Sequence, residues 1–181
     1  MSAPAQAAAP KITTDDLPTL GQVTKIYPDL AKTKAKLETE KLTTYGYATS
    51  CSKTKAIRVT KGLSGTYWSK KGNVLAQVNV VDLKSTAVAK KVIAGSRLLN
   101  TCGTIVEDGS AATFKAIKAP KLGAGSVGSL LTLDDEKKPR MAYFDFRTKN
   151  RVVSVTVVSE KKKIDVAEAR KLAKVAFKAA S

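Results

Sequence analysis

At 181 residues, 43% of them hydrophobic, the chain has the size of one domain with a real core rather than two. Lys and Arg number 32 against 15 acids, a formal net charge of +17, so the surface attracts polyanions of any chemistry: nucleic acid, anionic lipid headgroups or anionic wall polymers. Histidine is absent, which excludes histidine-dependent triads and removes the commonest metal ligand and near-neutral proton switch.

Residues 1–12 begin as an Ala/Pro-rich stretch and read as a disordered linker, leaving 13–181 as a single domain. The stretch lacks the charged and apolar regions of a signal peptide, and the expectation is that a secretory or lipoprotein signal once preceded it. No stretch of the chain is long and apolar enough to be read as a membrane span. Thr13, Asp15, Asp16 and Pro18 supply a cap, first-turn acids and a stop, predicting one helical turn that acts as a plug. Between Lys32 and Lys41 the charges fall on every even position up to Glu40. An extended ribbon is preferred, although Lys34/Glu38 and Lys36/Glu40 also fit helical pairing. Tyr45-Gly46-Tyr47 leads into Cys51, and Ile57 and Val59 mark a short strand or turn of helix.

Gly62, Gly65 and Gly72 punctuate the stretch that carries Tyr67 and the sole tryptophan, Trp68. In residues 73–83, Val74, Ala76, Val78 and Val80 alternate with Leu75, Gln77, Asn79 and Val81, the period of a strand. Ser85 then caps a helix whose Val88, Val92, Gly95, Leu99 and Cys102 recur at steps of three or four, so one face carries a cysteine towards the core. Short strands are predicted at 104–106, 113–118 and 127–133, with a break at Ala119-Pro120 and a charged turn at 134–139. Residues 140–147 and 152–158 form the clearest hairpin: Ala142, Phe144 and Phe146 share a face with Val153, Val155 and Val157. In the last helix Asp165 and Glu168 are spaced as a capping box, and Val166, Ala169, Leu172, Ala173, Ala176, Phe177 and Ala180 make the buried stripe. The sum is an α+β domain with an antiparallel sheet of five to six strands, packed with two main amphipathic helices and closed by one disulfide.

The two cysteines, Cys51 and Cys102, are too few for a four-thiolate zinc site and too far apart for a redox CxxC motif. A disulfide is their simplest use; two unpaired thiols packed as small apolar groups are the alternative. Gly123-Ala124-Gly125-Ser126-Val127-Gly128 matches GxGxxG, but a strand rather than a helix follows, so a glycine-rich turn is the better reading. The lysines fall into small groups, Lys32/Lys34/Lys36, Lys53/Lys55, Lys70/Lys71, Lys90/Lys91 and Lys161/Lys162/Lys163, the last a candidate anion-attracting surface. Lysine rather than the arginine fork points to diffuse attraction and away from sequence-specific nucleic-acid reading.

Tyr67 and Trp68 are candidates for one wall of a ligand cleft, with a core position the simpler reading for the tryptophan. Tyr143, Asp145 and Arg147 form a polar row on one strand face; solvent exposure is the simpler expectation, a ligand groove beneath a covering segment the other. Asp134, Asp135 and Glu136 read as a charged turn rather than a calcium site. No metal or cofactor is called for, and no nucleophile has an identifiable base beside it.

Residues 14–18, the two separated cysteines, the helix running into the second of them, the late hairpin and the closing Asp165–Ala173 segment together resemble the PknH-like extracellular sensor domain. That actinobacterial family comprises outer domains of some serine/threonine kinases and many stand-alone secreted proteins and lipoproteins. The resemblance implies an antiparallel sheet packed with helices, a ligand cleft and no catalysis, and carries over only the Cys51–Cys102 pair. The kinase sensor has two disulfides where this chain can form one, so the stand-alone branch fits better. The expected function is a non-enzymatic, secreted or lipid-anchored envelope-binding domain with a basic surface for anionic ligands. The alternatives are an envelope-polymer hydrolase or transferase using carboxylates such as Asp145, and, more remotely, a small basic nucleic-acid-binding protein.

Overall fold

The computed structural model describes residues 11–107, 110–133, 141–159 and 163–181. Residues 1–10 of the predicted 1–12 linker, the charged turn at 134–139, Lys161 and Lys162 lie outside the described residues, while Ile12 packs against the core. Eight strands, not five or six, form one antiparallel sheet: β1 (Lys36–Lys41), β4 (Lys61–Trp68), β5 (Val74–Asp82), β10 (Arg151–Ser159), β9 (Met141–Thr148), β8 (Gly125–Leu133), β7 (Ser110–Ala116) and β6 (Thr104–Glu107), in that spatial order. A separate hairpin pairs β2 (Thr44–Ser50) with β3 (Lys53–Arg58). The sequence undercounts the sheet because Gly62 and Gly65 interrupt the alternation of β4, and because β1 is mostly exposed and charged. The extended reading of that segment holds for β1, while Lys32 ends a helix.

Two short helices were not foreseen, α1 (Leu20–Ile26) and α2 (Pro28–Lys32). At seven and five residues they are too short for a helical period to emerge. Their start signals are nonetheless local: Thr19 and Gln22 close a capping box on α1, and Pro28 opens α2. Ser85 caps α3 (Thr86–Leu99) and Asp165 caps α4 (Val166–Ala179), both as predicted.

The sheet has two covered faces of opposite character. On one, Ala76, Val78 and Val80 join Ala142, Phe144 and Phe146 and Val153, Val155 and Val157 in a dry core. The β9–β10 register sets Phe146 opposite Val153 and Phe144 opposite Val155. Ala169, Leu172, Ala173 and Ala176 of α4 close this face together with Leu17, Val23, Tyr27 and Leu30, and Phe177 meets Phe146 edge to face at 5.7 Å between ring centroids. Arg151 staples the periphery: its guanidinium forks onto Asp82 and also reaches Asp16 at 3.0 Å and the Ala180 carbonyl at 2.8 Å. The predicted one-turn plug, Thr14–Asp16, is thereby tied to the sheet and to the end of the chain.

On the opposite face α3 and the β2–β3 hairpin cover the sheet around a smaller apolar cluster of Val59, Val81, Leu83, Ala89, Val92 and Val152. Gly95 lets α3 approach β2, since a Cβ there would stand 2.6 Å from the Ala48 carbonyl oxygen. Cys51, in the turn of the hairpin, is bonded to Cys102 with their Cα atoms 5.6 Å apart. The bridge is not in the core: Cys51 is exposed and Cys102 half-buried. The helix stops at Leu99, so its three-and-four spacing no longer governs where Cys102 lies. The Gly-rich segment at 123–128 is a turn running into β8, as the following strand required.

Candidate functional site

Among the described residues, a group of five lysines gathers where α2, β1 and the β4–β5 turn meet. Helix α2 ends in a Schellman motif, with the Ala35 amide donating to the Leu30 carbonyl and the Lys34 amide to that of Ala31. The motif needs a left-handed residue after the cap, and Lys34 occupies it at φ 55° where glycine is the usual choice. The β4–β5 turn is fastened to this helix end. Ser69 donates to the Thr33 carbonyl at 2.5 Å, and the Asn73 amide donates to Asp29 at 3.0 Å. Pairing of Lys36 with Trp68 across β1 and β4 completes the enclosure.

The result is a cleft of about 380 Å³ in which Trp68, Thr33 and Ser69 are surrounded by Lys32, Lys34, Lys36, Lys70 and Lys71. All five lysines are exposed, and among the described residues none of the five makes an ion pair. Trp68 is half-buried, its ring forming wall rather than core. Lysines from two sequence groups some 35 residues apart thus converge on the one tryptophan, a juxtaposition created by the β1–β4 pairing. Thr33 and Ser69, which carry the polar part of the wall, have no sequence signal of their own.

The remaining predicted ligand residues do not join Trp68. Tyr67 points to the dry face, wholly buried, and donates to the Pro18 carbonyl; burial pushes its phenol up. Asp145 lies under α3, not in open solvent. It accepts from Ser96 at 2.5 Å and is within hydrogen-bonding reach of Ser154 and of Tyr45, which are bonded to each other. Loss of water raises its pKa against the lowering effect of those three hydroxyls, and burial with the nearby carboxylate raises that of Tyr45. Arg147 is buried as a strut, donating to the carbonyls of Lys149 and Ala124 at 3.2 and 3.0 Å. The expectation of solvent around this row therefore fails, because α3 and the hairpin cover it.

Tyr143 faces a second cleft, of about 530 Å³, beside the disulfide. There burial, with Asp145 next to it, raises its phenol. Lys163 is exposed ahead of α4 and lines neither cleft. Among the described residues no group of three or more acids and cysteines could hold a metal ion, and no described helix is long and apolar enough to cross a membrane.

No family model and no curated protein matches the chain. Among solved structures, the extracellular domain of PknH from Mycobacterium tuberculosis is similar at a TM-score of 0.57 and 11% identity, over 95% of this chain and 98% of that one. An uncharacterized protein from Mycobacterium smegmatis, an Rv0999 ortholog, aligns at a TM-score of 0.47 and 11% identity, over 90% of this chain and 97% of that one. Over most of its length, therefore, the chain has the α+β fold of the PknH extracellular domain.

Proposed function

We propose that this protein is a non-catalytic binding domain of the cell envelope, secreted or lipid-anchored, which captures an anionic envelope component in the lysine-ringed cleft at Trp68. The observation that carries the reading is the convergence of five unpaired ammonium groups on one half-buried indole. Like charges held together raise the local potential, and a concave wall focuses it, so a ligand bearing several negative charges gains most from entering. Lysine stems are adaptable point charges rather than planar forks, which suits a polymer or headgroup presented in varied poses.

The location is supported by the Cys51–Cys102 bridge, since such bonds persist in oxidising compartments, and by the likeness to an extracellular domain. The absence of catalysis is supported by the state of Asp145. The carboxylate that a hydrolase would need is engaged by Ser96 beneath α3 and lines neither cleft.

The test is retention on anionic envelope polymer across a salt series, using a Lys34→Gln/Lys70→Gln/Lys71→Gln variant and a charge-matched control, Lys90→Gln/Lys91→Gln/Lys174→Gln. The cleft variant should lose about tenfold in affinity and the control little, with binding falling as salt rises. Equal losses in both would assign the attraction to the overall field and sink the cleft. Binding indifferent to salt would remove charge as the cause.

A further inference from the structure

The second cleft lies on the α3-covered face of the sheet, beyond the end of that helix. Beside the apolar cluster under α3 the face carries polar groups, Asp145 and Ser154 being bonded to Ser96 and Tyr45 of the covering layer. Past Leu99 it turns apolar. Phe114 stands opposite Leu131 across β7 and β8, and Ile105 opposite Ala112 across β6 and β7. With Leu99 and Tyr143 these residues line a concavity of about 530 Å³. The hairpin turn overhangs it and is held there by the Cys51–Cys102 bond.

The disulfide spans this gap without filling it, and Leu99, Ile105 and Phe114 stay half-buried beside the buried Leu131. Contiguous exposed apolar surface with a polar rim marks a binding site, and the volume falls in the range of small-ligand pockets. A partner helix is too large: two turns of a cylinder ~10 Å across occupy roughly 850 Å³. Among the described residues the rim is supplied by Ser50, Ser52, Lys53 and Thr54, three hydroxyls and one cation. An apolar interior with a cationic, hydrogen-bonding lip is complementary to an anionic amphiphile.

We propose that the cleft beside the Cys51–Cys102 bridge binds one alkyl chain of a fatty-acid-type amphiphile, the chain lying on Phe114, Leu131 and Ile105 and the carboxylate at Lys53. The site is separate from the lysine-ringed cleft at Trp68 and does not depend on it.

Calorimetric titration of the oxidised protein with tetradecanoate, kept below its micellar range, tests this. Saturable one-to-one binding with a negative heat-capacity change is expected, weakening as the chain is shortened to octanoate. Ile105→Asp, on edge strand β6, places a charge in the chain's path and should cost about tenfold in affinity, a thermal melt confirming that the variant is folded. Lys53→Gln should weaken tetradecanoate severalfold and leave tetradecanol unchanged. Trp68→Ala should bind tetradecanoate like the parent protein. The proposal is overturned by an absence of saturable binding, by affinity unchanged in folded Ile105→Asp, or by affinity lost in Trp68→Ala.

Discussion

The two faces of the sheet solve the same covering problem with different materials. The face under α4 is closed by side chains that need nothing but contact: Phe144, Phe146, the β10 valines and the alanines of α4. The face under α3 is closed by a shorter apolar cluster, a hydrogen-bonded group at Asp145 and a covalent bond at its rim. A dry interface gains from every square ångström removed from water and tolerates no gaps. A polar, cross-linked cover needs its partners only at a few points, so it leaves a concavity beside the disulfide. The first face holds the domain together; the second supplies space.

This contrast can be broken most severely at Phe144, wholly buried in the dry core. Phe144→Ala should cost about 4 kcal/mol, read as a lowered urea midpoint for the whole domain. A loss below about 1 kcal/mol would mean that the dry face is not the seat of stability.

Removing the covalent tie comes next. The bonded cysteines are 51 residues apart, and closing such a loop is worth roughly 4 kcal/mol in the loop-entropy model, with about 3 typically delivered. A Cys51→Ser/Cys102→Ser variant should lose the most amide protection in β2, β3 and α3, by hydrogen exchange, with β5 and β10 falling only by the shared loss of global stability. Uniform loss across both faces would dissolve the distinction.

A finer probe is pH. Burial raises the pKa of Asp145 from its ordinary value of 3.8, so the folded protein holds that proton more tightly than the unfolded chain does. Its contribution to stability is therefore fully present below the ordinary value and is lost as pH rises through the folded one. Asp145→Asn should flatten this part of the decline in urea midpoint above about pH 4. Glu168, raised by burial and by Asp165, contributes with the same sign and remains in the variant. A parent protein whose stability in this window is no more pH-dependent than that of the variant would contradict the buried carboxylate.

The smallest effect lies off both faces, at Lys34. Its left-handed backbone suits glycine better, so Lys34→Gly should leave stability unchanged or raise it by about 0.5 kcal/mol. Retention on anionic polymer should fall about twofold to fivefold. A thermal melt beside the salt-dependent retention assay separates the two. A destabilised variant would show that the lysine stem, not its charge, holds the turn.

Much of the architecture was legible in local chemistry. The β9–β10 hairpin followed from alternation between Ala142 and Val157, and α3 and α4 from Ser85 and Asp165 ahead of stripes at helical spacing. Edge strand β1 was harder to read because its alternating charges meet water on both sides, and α1 and α2 were missed because five to seven residues carry no period. The ligand residues fared differently. Tyr67 and Trp68 are neighbours in sequence, yet a strand sends them to opposite faces, one into the core and one into a cleft.

What the sequence by itself determined was what depends on neighbours along the chain: the basic charge, the missing imidazole, the helix caps, the best hairpin and a pair of cysteines available to bond. Which lysines stand together, which face receives Asp145 and where the disulfide leaves a gap were decided only by strand pairing across the sheet. Those contacts join residues tens of positions apart, such as Lys36 with Trp68 and Ser96 with Asp145. Propensity and periodicity act over a turn or a strand, so they cannot choose among distant partners; burial of the common core does.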